Sequence, residues 1–328
     1  FGGDYYKSSW FYYSLFSDFV KNQFAKALDG STQNFVSLNM LRSFKLQVPK
    51  DKKVIKKICD ILSSVDNLIE KTETLIAKYQ SIKQGMMHDL FTRGVDANGQ
   101  LRPPVDEAPE LYKESELGWI PKGWDITLLE KCTSFLITYG IVQAGPHIER
   151  GIPYIRTGDM AGDHLLRETM LCTSNSIANS YKRSEVRTGE IVCAIRATVG
   201  KVLLIPPELN GANLTQGTAR ISPKDNINNI FLLWLLRSHL IQKEFQLSIK
   251  GTTFSEITLE NLRKIRLCLP KNEKEQDFIA NSLNSNERMI EREKRYLSKL
   301  LNIKTALMQD LLTGKVRVKP DKPEDTKS

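Results

Sequence analysis

The sequence predicts an α+β fold: a globular domain of short strands plus helices, joined by two long coiled-coil-like helices. Two observations predict it. A stretch of about 60 residues occurs twice, and each copy ends in a long run with a heptad pattern. Between the copies, short β-rich runs alternate with Gly and Pro turns and then give way to a helix-like run.

The copies are residues 36–95 and 257–316. They align without a gap at an offset of 221 (270 − 49, from Pro270 and Pro49), with 20 identities in 60 pairs. Leu38/Leu259, Arg42/Arg263, Ile58/Ile279, Leu62/Leu283, Met87/Met308 and Asp89/Asp310 are among them. Two unrelated surface helices would not match ungapped over that length. In each copy a β-like run leads to a proline, 44–48 before Pro49 and 265–269 before Pro270. A helix of about 38 residues follows, roughly 57 Å at 1.5 Å per residue. Its apolar seam is Ile58, Leu62, Ile69, Ile76, Tyr79 and Leu90 in the first copy. In the second it is Ile279, Leu283, Ile290, Leu297, Leu300 and Leu311. Thr72 and Lys83 interrupt the first seam, and Asn286, Glu293 and Lys304 the second; polar seam residues fix register at some cost in stability. A helix that long with one apolar stripe needs a partner, and the other copy is the obvious one.

The repeat reaches back before the first copy. Residues 10–19 align at the same offset with 231–240, Phe24 with Phe245 and Gly30 with Gly251. A body of about a hundred residues lies directly before Asp225, and nothing before Asp4 corresponds to it. Residues 1–35 are therefore expected to be the closing part of a first globular domain that the chain mostly lacks, by deletion or by the choice of segment. After the first copy, Gly94, Gly99, Pro103, Pro104, Pro109, Gly118 and Pro121 give 96–118 the composition of a linker. Gly118–Trp124 reads as a turn leading into the next domain. That domain, 119–256, carries strand-like runs at 152–156, 191–195, 202–205 and 218–221, then one helix over 230–245. The second copy occupies 257–318, and the charged segment 319–328 is expected to fray.

Lys plus Arg exceed Asp plus Glu by nine in 328 residues, which favours a polyanionic partner. Five cysteines without a CxxC read as reduced thiols of a cytosolic protein, with neither a disulfide frame nor a zinc site. No signal peptide or membrane-spanning run is present; 230–241 is too short and contains Arg237 and His239. No adenine-methylation motif, G-x-G-x-x-G or P-loop occurs, and Ile205-Pro-Pro-Glu208 is not such a motif. The four histidines lack metal-ligand spacing, and the nuclease-like Pro323–Lys327 is read as chance. Binding is favoured over catalysis.

A set of short motifs then carries a resemblance. In order they are Gly151-Ile-Pro-Tyr-Ile-Arg-Thr-Gly-Asp-Met160, Gly189-Glu-Ile-Val192, Thr198-Val-Gly-Lys201, Ala212-Asn-Leu-Thr-Gln-Gly-Thr-Ala-Arg-Ile221 and Gly251-Thr-Thr-Phe-Ser-Glu-Ile257. Leu269-Pro270, Glu275-Gln276 and Leu307-Met-Gln-Asp-Leu-Leu-Thr-Gly-Lys315 follow. With the repeated helix, the chain resembles the specificity subunit (HsdS) of type I restriction–modification enzymes over nearly its whole length. The resemblance implies target-recognition domains that each read half of a split site in double-stranded DNA, spaced by two long antiparallel helices. It implies a non-catalytic subunit that binds no cofactor itself. The implied partners are two methyltransferase subunits, which use S-adenosylmethionine to methylate adenine N6, and restriction subunits, which use ATP and magnesium. The implied location is the cytoplasm of a bacterium or archaeon. The sequence departs from the family pattern in lacking most of the first recognition domain, and in carrying Val54-Ile55 where the second copy has Glu275-Gln276. With one full domain, two copies related by a two-fold axis could present two identical readers.

The candidate DNA contacts are Arg156, Thr157, Arg196, Thr198, Lys201, Asn213, Gln216, Thr218, Lys250 and Thr252, all in or beside turns of 119–256. Arg pairs bidentately with guanine, and Asn or Gln with adenine. Thr hydroxyls, Lys and backbone N–H groups suit phosphates. Asn213 and Gln216 read equally well as turn-capping or core-satisfied groups, and Gly217 and Gly251 as turn glycines. Trp119 and Trp124 read as packing anchors before base-stacking platforms, and Arg220 as structural. Arg183, Arg187 and Arg196 lie close in sequence and form either a basic face or a solvated surface. The competing function is a coiled-coil scaffold whose globular domain binds protein; a fused nuclease or methyltransferase is disfavoured by the absent motifs.

Overall fold

The computed structural model describes residues 5–28, 35–249 and 255–319. Gly30, Lys250, Gly251, Thr252 and the charged tail beyond Lys319 lie outside the described residues. In chain order come α1 (Tyr5–Leu15), α2 (Asp18–Leu28), α3 (Leu38–Arg42), α4 (Lys52–Thr92), β1 (Tyr112–Ser115), β2 (Gly118–Pro121) and β3 (Trp124–Leu128). Next are β4 (Ile152–Ile155), β5 (Cys172–Thr173), α5 (Asn175–Ser180), β6 (Ile191–Ala194), β7 (Val202–Leu204), β8 (Asn213–Leu214) and β9 (Thr218–Ile221). The chain closes with α6 (Asn229–Arg237), α7 (His239–Ser248), α8 (Leu259–Arg263), β10 (Arg266–Pro270) and α9 (Glu273–Leu312). This is the α+β architecture with two long helices that the sequence predicts.

The internal repeat is a repeat of structure. At the offset of 221, α3 falls on α8 residue for residue, and Ser37 and Thr258 are equivalent N-caps, each accepting a hydrogen bond from the backbone N–H three residues on. Helices α1 and α2 likewise fall on α6 and α7, and α4 on α9, with 41 and 40 residues. Two compact units divide the chain: Phe1–Gln80 with Arg288–Ser328, and Ser81–Glu287.

In the first unit, Trp10, Tyr13, Ile58, Leu62, Leu311 and Leu312 form one buried cluster. Ile58 and Leu62 meet Leu311, and further along Asp66 pairs with Lys304 at 2.7 Å, so α4 and α9 run antiparallel here. Along the seam Ile76, Ile290 and Leu300 are buried, while Ile69, Tyr79 and Leu297 are half-buried. Thr72 satisfies its hydroxyl on the Leu68 carbonyl at 2.7 Å, so its polar group enters the seam without an orphan. Val54 and Ile55 pack against the same cluster. The β-like run 44–48 is not a strand. Its counterpart β10 is one because it pairs along its whole length with β3, and no described segment offers the first copy such a partner.

The second unit is built around β6. It is apolar at every position and buried on both faces, the pattern of an inner strand. Alternation sends Ile191 and Cys193 into a core with Phe231, Leu235 and Phe245, and Val192 and Ala194 into another with Ile155, Leu203 and Leu214. Antiparallel β7 and β9 flank it, β5-β4-β8 form a second sheet in which β4 and β8 are parallel, and β1-β2 and β10-β3 are two-stranded. Leu90, Ile279 and Leu283 are buried in the first of these cores, and Lys83 pairs with Glu287 at 2.8 Å, again antiparallel. The single helix expected over 230–245 is two. Ser238 adopts extended backbone (φ −65°, ψ 150°) and caps α7 through its side chain, which resets the helix.

The stretch 96–118 has linker composition and is folded. Val95, Ala108 and Tyr112 are buried, β1 and β2 form a hairpin, and Arg102 reaches Glu275 at 2.6 Å. Glu275 Oε1 also accepts from Val95 N and Trp124 Nε1, both at 3.0 Å, while Gln276 accepts from Asn228 N at 3.0 Å. The Glu-Gln pair of the second copy is thus a clamp on neighbouring segments, and Val54-Ile55 of the first copy fills a core instead. Trp124 is a fully buried anchor as expected, whereas Trp119 is half exposed.

All five cysteines are buried and free. Burial pushes the thiols of Cys193 and Cys268 up to about 12, and those of Cys59 and Cys132 up to about 11. Iodoacetamide at pH 8 is therefore expected to leave the native protein unlabelled for hours by intact mass, while denaturant exposes all five. Because these folded values lie above the ordinary thiol value of 9.0, their contribution to stability is intact below pH 9 and falls as pH rises beyond it. Labelling of the native chain within minutes would contradict the buried thiols.

Candidate nucleic-acid interface

Four segments of the second unit are tied together by their main chains. The carbonyl of Ile155, the last residue of β4, accepts from Thr215 N at 3.2 Å and from the hydroxyls of Thr215 and Thr218 at 3.1 Å each. Gln216 N donates to Ile141 O at 2.9 Å, and Ile195 N donates to Gly217 O at 2.9 Å. The approach is close enough to select glycines. A Cβ on Gly140 would sit 1.9 Å from the Leu214 carbonyl oxygen, and one on Gly217 would meet Thr157 at 3.2 Å and Arg196 at 4.0 Å.

That convergence brings Thr157, Arg196 and the turn holding Gln216 to one place, with Arg156 beside Thr157. Both arginines are held by carboxylates. Arg156 donates through Nε and Nη2 to Asp159, at 3.0 and 2.7 Å, and Arg196 through Nε and Nη2 to Glu256 Oε1 at 3.0 Å each. The hydrogen bond to Asp159 raises the Arg156 guanidinium above its usual value against a smaller opposing effect of burial. Each side chain stays 41% exposed. A guanidinium has five N–H donors, so with two committed to the carboxylate three remain for a base edge. Ala197 follows Arg196 with φ +59°, left-handed backbone at a residue with a Cβ, held by Ala197 N donating to Ser255 O at 3.1 Å. Strain of this kind persists where surrounding structure enforces it, and here it aims the Arg196 loop.

Other candidates fall elsewhere. Asn213 is buried, bonded to Ser184 Oγ and to the Ala178 carbonyl, and Thr218 is buried under Ile155. These two are core-satisfied groups that hold the loops from inside. Thr198 and Lys201 lie on the following turn and line a cavity of about 870 Å³ with Trp234 and Arg237. Lys201 Nζ donates to Ala161 O at 2.9 Å. Arg237 in that cavity donates to Val202 O, and burial lowers its guanidinium below the usual value. Lys250 and Thr252 lie outside the described residues. The basic face expected from Arg183, Arg187 and Arg196 divides: Arg183 and Arg187 line a cleft with Lys182, and Arg196 does not. Arg220 is structural, paired within a buried site with Glu190. Sequence reasoning missed Phe135 and Leu136 at the cleft. They belong to the apolar run Phe135-Leu136-Ile137, in which only Ile137 is buried.

Arg156, Arg196 and Gln216 are thus carried on loops that main-chain hydrogen bonds tie to the sheets. Residues 147–302 match the family model described as the type I restriction modification DNA specificity domain. That stretch, just under half of the chain, is similar to the domain the model describes. It is 28% identical over 319 residues to the type I restriction enzyme MjaVIII specificity subunit of Methanocaldococcus jannaschii, covering 94% of this chain and 70% of that protein. It is 25% identical over 291 residues to the EcoBI specificity subunit of Escherichia coli, covering 84% of this chain and 58% of that protein. Among solved structures it resembles the type I restriction–modification S subunit of M. genitalium, with a TM-score of 0.57 at 19% identity over 92% of this chain and 72% of that one. A chain from a study of assembly and conformational transition in a type I system gives 0.53 at 18% identity, over 94% and 71%. The fold is that of these subunits.

Proposed function

We propose that this chain is the DNA-reading specificity subunit of a type I restriction–modification enzyme. It directs methyltransferase and restriction subunits to a bipartite DNA site and does no chemistry itself. The observation that carries the reading is the convergence of Arg156, Thr157, Arg196 and Gln216 on one main-chain-tied surface inside the stretch that matches a DNA specificity domain. The coiled-coil scaffold reading gives no account of that match. Residues 119–256 are the reader, between the repeats 36–95 and 257–318. S-adenosylmethionine belongs to two methyltransferase partners, and ATP with magnesium to the restriction subunits. The assembly works in the cytoplasm, where the DNA is. Helices α1 and α2 are the closing part of a first recognition domain. In support, α1 and α2 repeat α6 and α7, and Phe11 and Tyr12 are exposed where their counterparts Leu232 and Leu233 are buried. Two copies about a two-fold axis would supply two identical readers, which a mass measurement of the purified chain tests.

The experiment is a genome-wide map of N6-methyladenine in cells carrying the partner methyltransferase, with and without this chain. A split motif that appears only with the chain is the expected result, and its symmetry reports whether one reader is used twice. Arg196→Ala and Gln216→Ala are each expected to relax discrimination at one base pair by about 1–3 kcal/mol, roughly ten- to a hundredfold. An unchanged motif in both variants would remove these residues from the reading surface.

A further inference from the structure

A second surface of the reader has chemistry that the base-reading loops do not use. Phe135 and Leu136 form an exposed tip, 50% and 68% accessible, on a cleft of about 420 Å³ flanked by Lys182, Arg183 and Arg187. The tip is braced from below. The Arg220 guanidinium lies 4.8 Å from the Phe135 ring centroid and that of Arg187 lies 5.8 Å away. Arg220 is itself locked, donating through Nε to Glu190 Oε2 at 2.7 Å, with Ser222 on the same carboxylate. Among the described residues, Arg183 and Arg187 make no ion pair. Lys182 is paired with Glu185 at 3.0 Å on the same cleft, which leaves Arg183 and Arg187 as its cations without a carboxylate. An apolar tip beside such guanidinium groups is the composition of a wedge that enters a DNA groove while its flanks hold phosphates.

Position supports this. The stretch 133–141 runs beside 215–223: Ser134 N donates to Ser222 O at 2.8 Å, Arg220 N to Thr138 O at 3.1 Å, and Ile141 bridges Thr215 at the base-reading loops.

Building on the DNA-reading function proposed above, we propose that Phe135 and Leu136 enter the minor groove beside the bases read by Arg156, Arg196 and Gln216, with Arg183 and Arg187 on the flanking phosphates. The test uses the full chain in complex with its methyltransferase subunits and two fluorescent duplexes, one bearing the mapped motif and one unrelated. Arg183→Ala/Arg187→Ala is expected to weaken binding to both duplexes about equally and to lower the salt slope by about 2, at about 0.9 per lost phosphate contact. Arg183→Lys/Arg187→Lys keeps the charge and is expected to restore the slope. Phe135→Ala is expected to retain the slope but abolish the fluorescence rise of a 2-aminopurine scanned through the base pairs that flank the read bases. An unchanged slope in the Ala pair, or loss of methyltransferase assembly with DNA binding intact, would overturn the proposal; the latter would make the cleft a protein-docking site. The preference of the wild-type chain for the motif reports on the function, and the slope difference reports on the cleft, so each fails without the other.

Discussion

Glu275→Ala is expected to cost the second unit about 3–5 kcal/mol, the range for breaking a buried ion pair from one side. The carboxylate is 8% exposed. It binds Arg102 through both oxygens, at 2.6 and 3.1 Å, and takes hydrogen bonds from Val95 N and Trp124 Nε1. Truncation leaves a half-desolvated guanidinium, a buried indole N–H and a buried amide without their acceptor, and each orphaned donor costs about 1–3 kcal/mol in isolation. These do not add, because Arg102 keeps its bond to the Arg93 carbonyl and can turn toward water. Glu275→Gln retains the shape but turns an amide N–H2 toward Arg102, so it should fall between Ala and wild type. Urea denaturation of the three proteins measures this as shifts in midpoint at constant slope. A midpoint within about 1 kcal/mol of wild type for Glu275→Ala would mean that the clamp is not closed in solution.

Leu62→Ala is expected to cost the first unit about 2–5 kcal/mol, the range for a fully buried leucine. Leu62 is 0% exposed and sits where α4 meets Leu311 of α9, beneath Trp10 and Tyr13 of α1. That buried cluster is small, so one missing side chain is a large fraction of it. Hydrogen exchange read by mass spectrometry should show protection falling in peptides from 52–80 and 288–312. Peptides from β6 and α6 should hold theirs, because their cores contain no residue of that cluster. Equal loss in both sets of peptides would show that the chain unfolds as one cooperative body.

The sequence made the repeat legible because both copies solve the same problem, burying one stripe of a long helix against a partner. Ile58/Ile279 and Leu62/Leu283 are identical and buried in both. What it left illegible depends on pairing between distant segments. Phe44–Val48 and Ile265–Leu269 have similar local preference, and the presence of β3 alone makes the second a strand. Ser238 lies inside the run that reads as one helix, and its role as a cap shows only in its extended backbone. Residues 96–118 have few apolar side chains, yet their backbone is held by Arg93, Arg102 and Glu275 across about 180 positions, which no local pattern reports. At the site, Arg156, Thr157, Arg196 and Gln216 were legible as side chains in turns that match a known pattern. Asn213 and Thr218 carry the same chemistry in the same turn, and only burial separates them from the reading surface.

The way the loops are fastened has a consequence for substitution. Main-chain atoms of Ile141, Ile155, Ile195, Thr215, Gln216 and Gly217 supply most of the bonds that hold them, and those atoms are the same whatever side chain is attached. Glycine is demanded at 140, and threonine hydroxyls are used at 215 and 218, but the side chains at 156, 157, 196 and 216 are half-exposed and supply none of those bonds. Those four side chains can therefore be exchanged one at a time without rebuilding the frame that displays them.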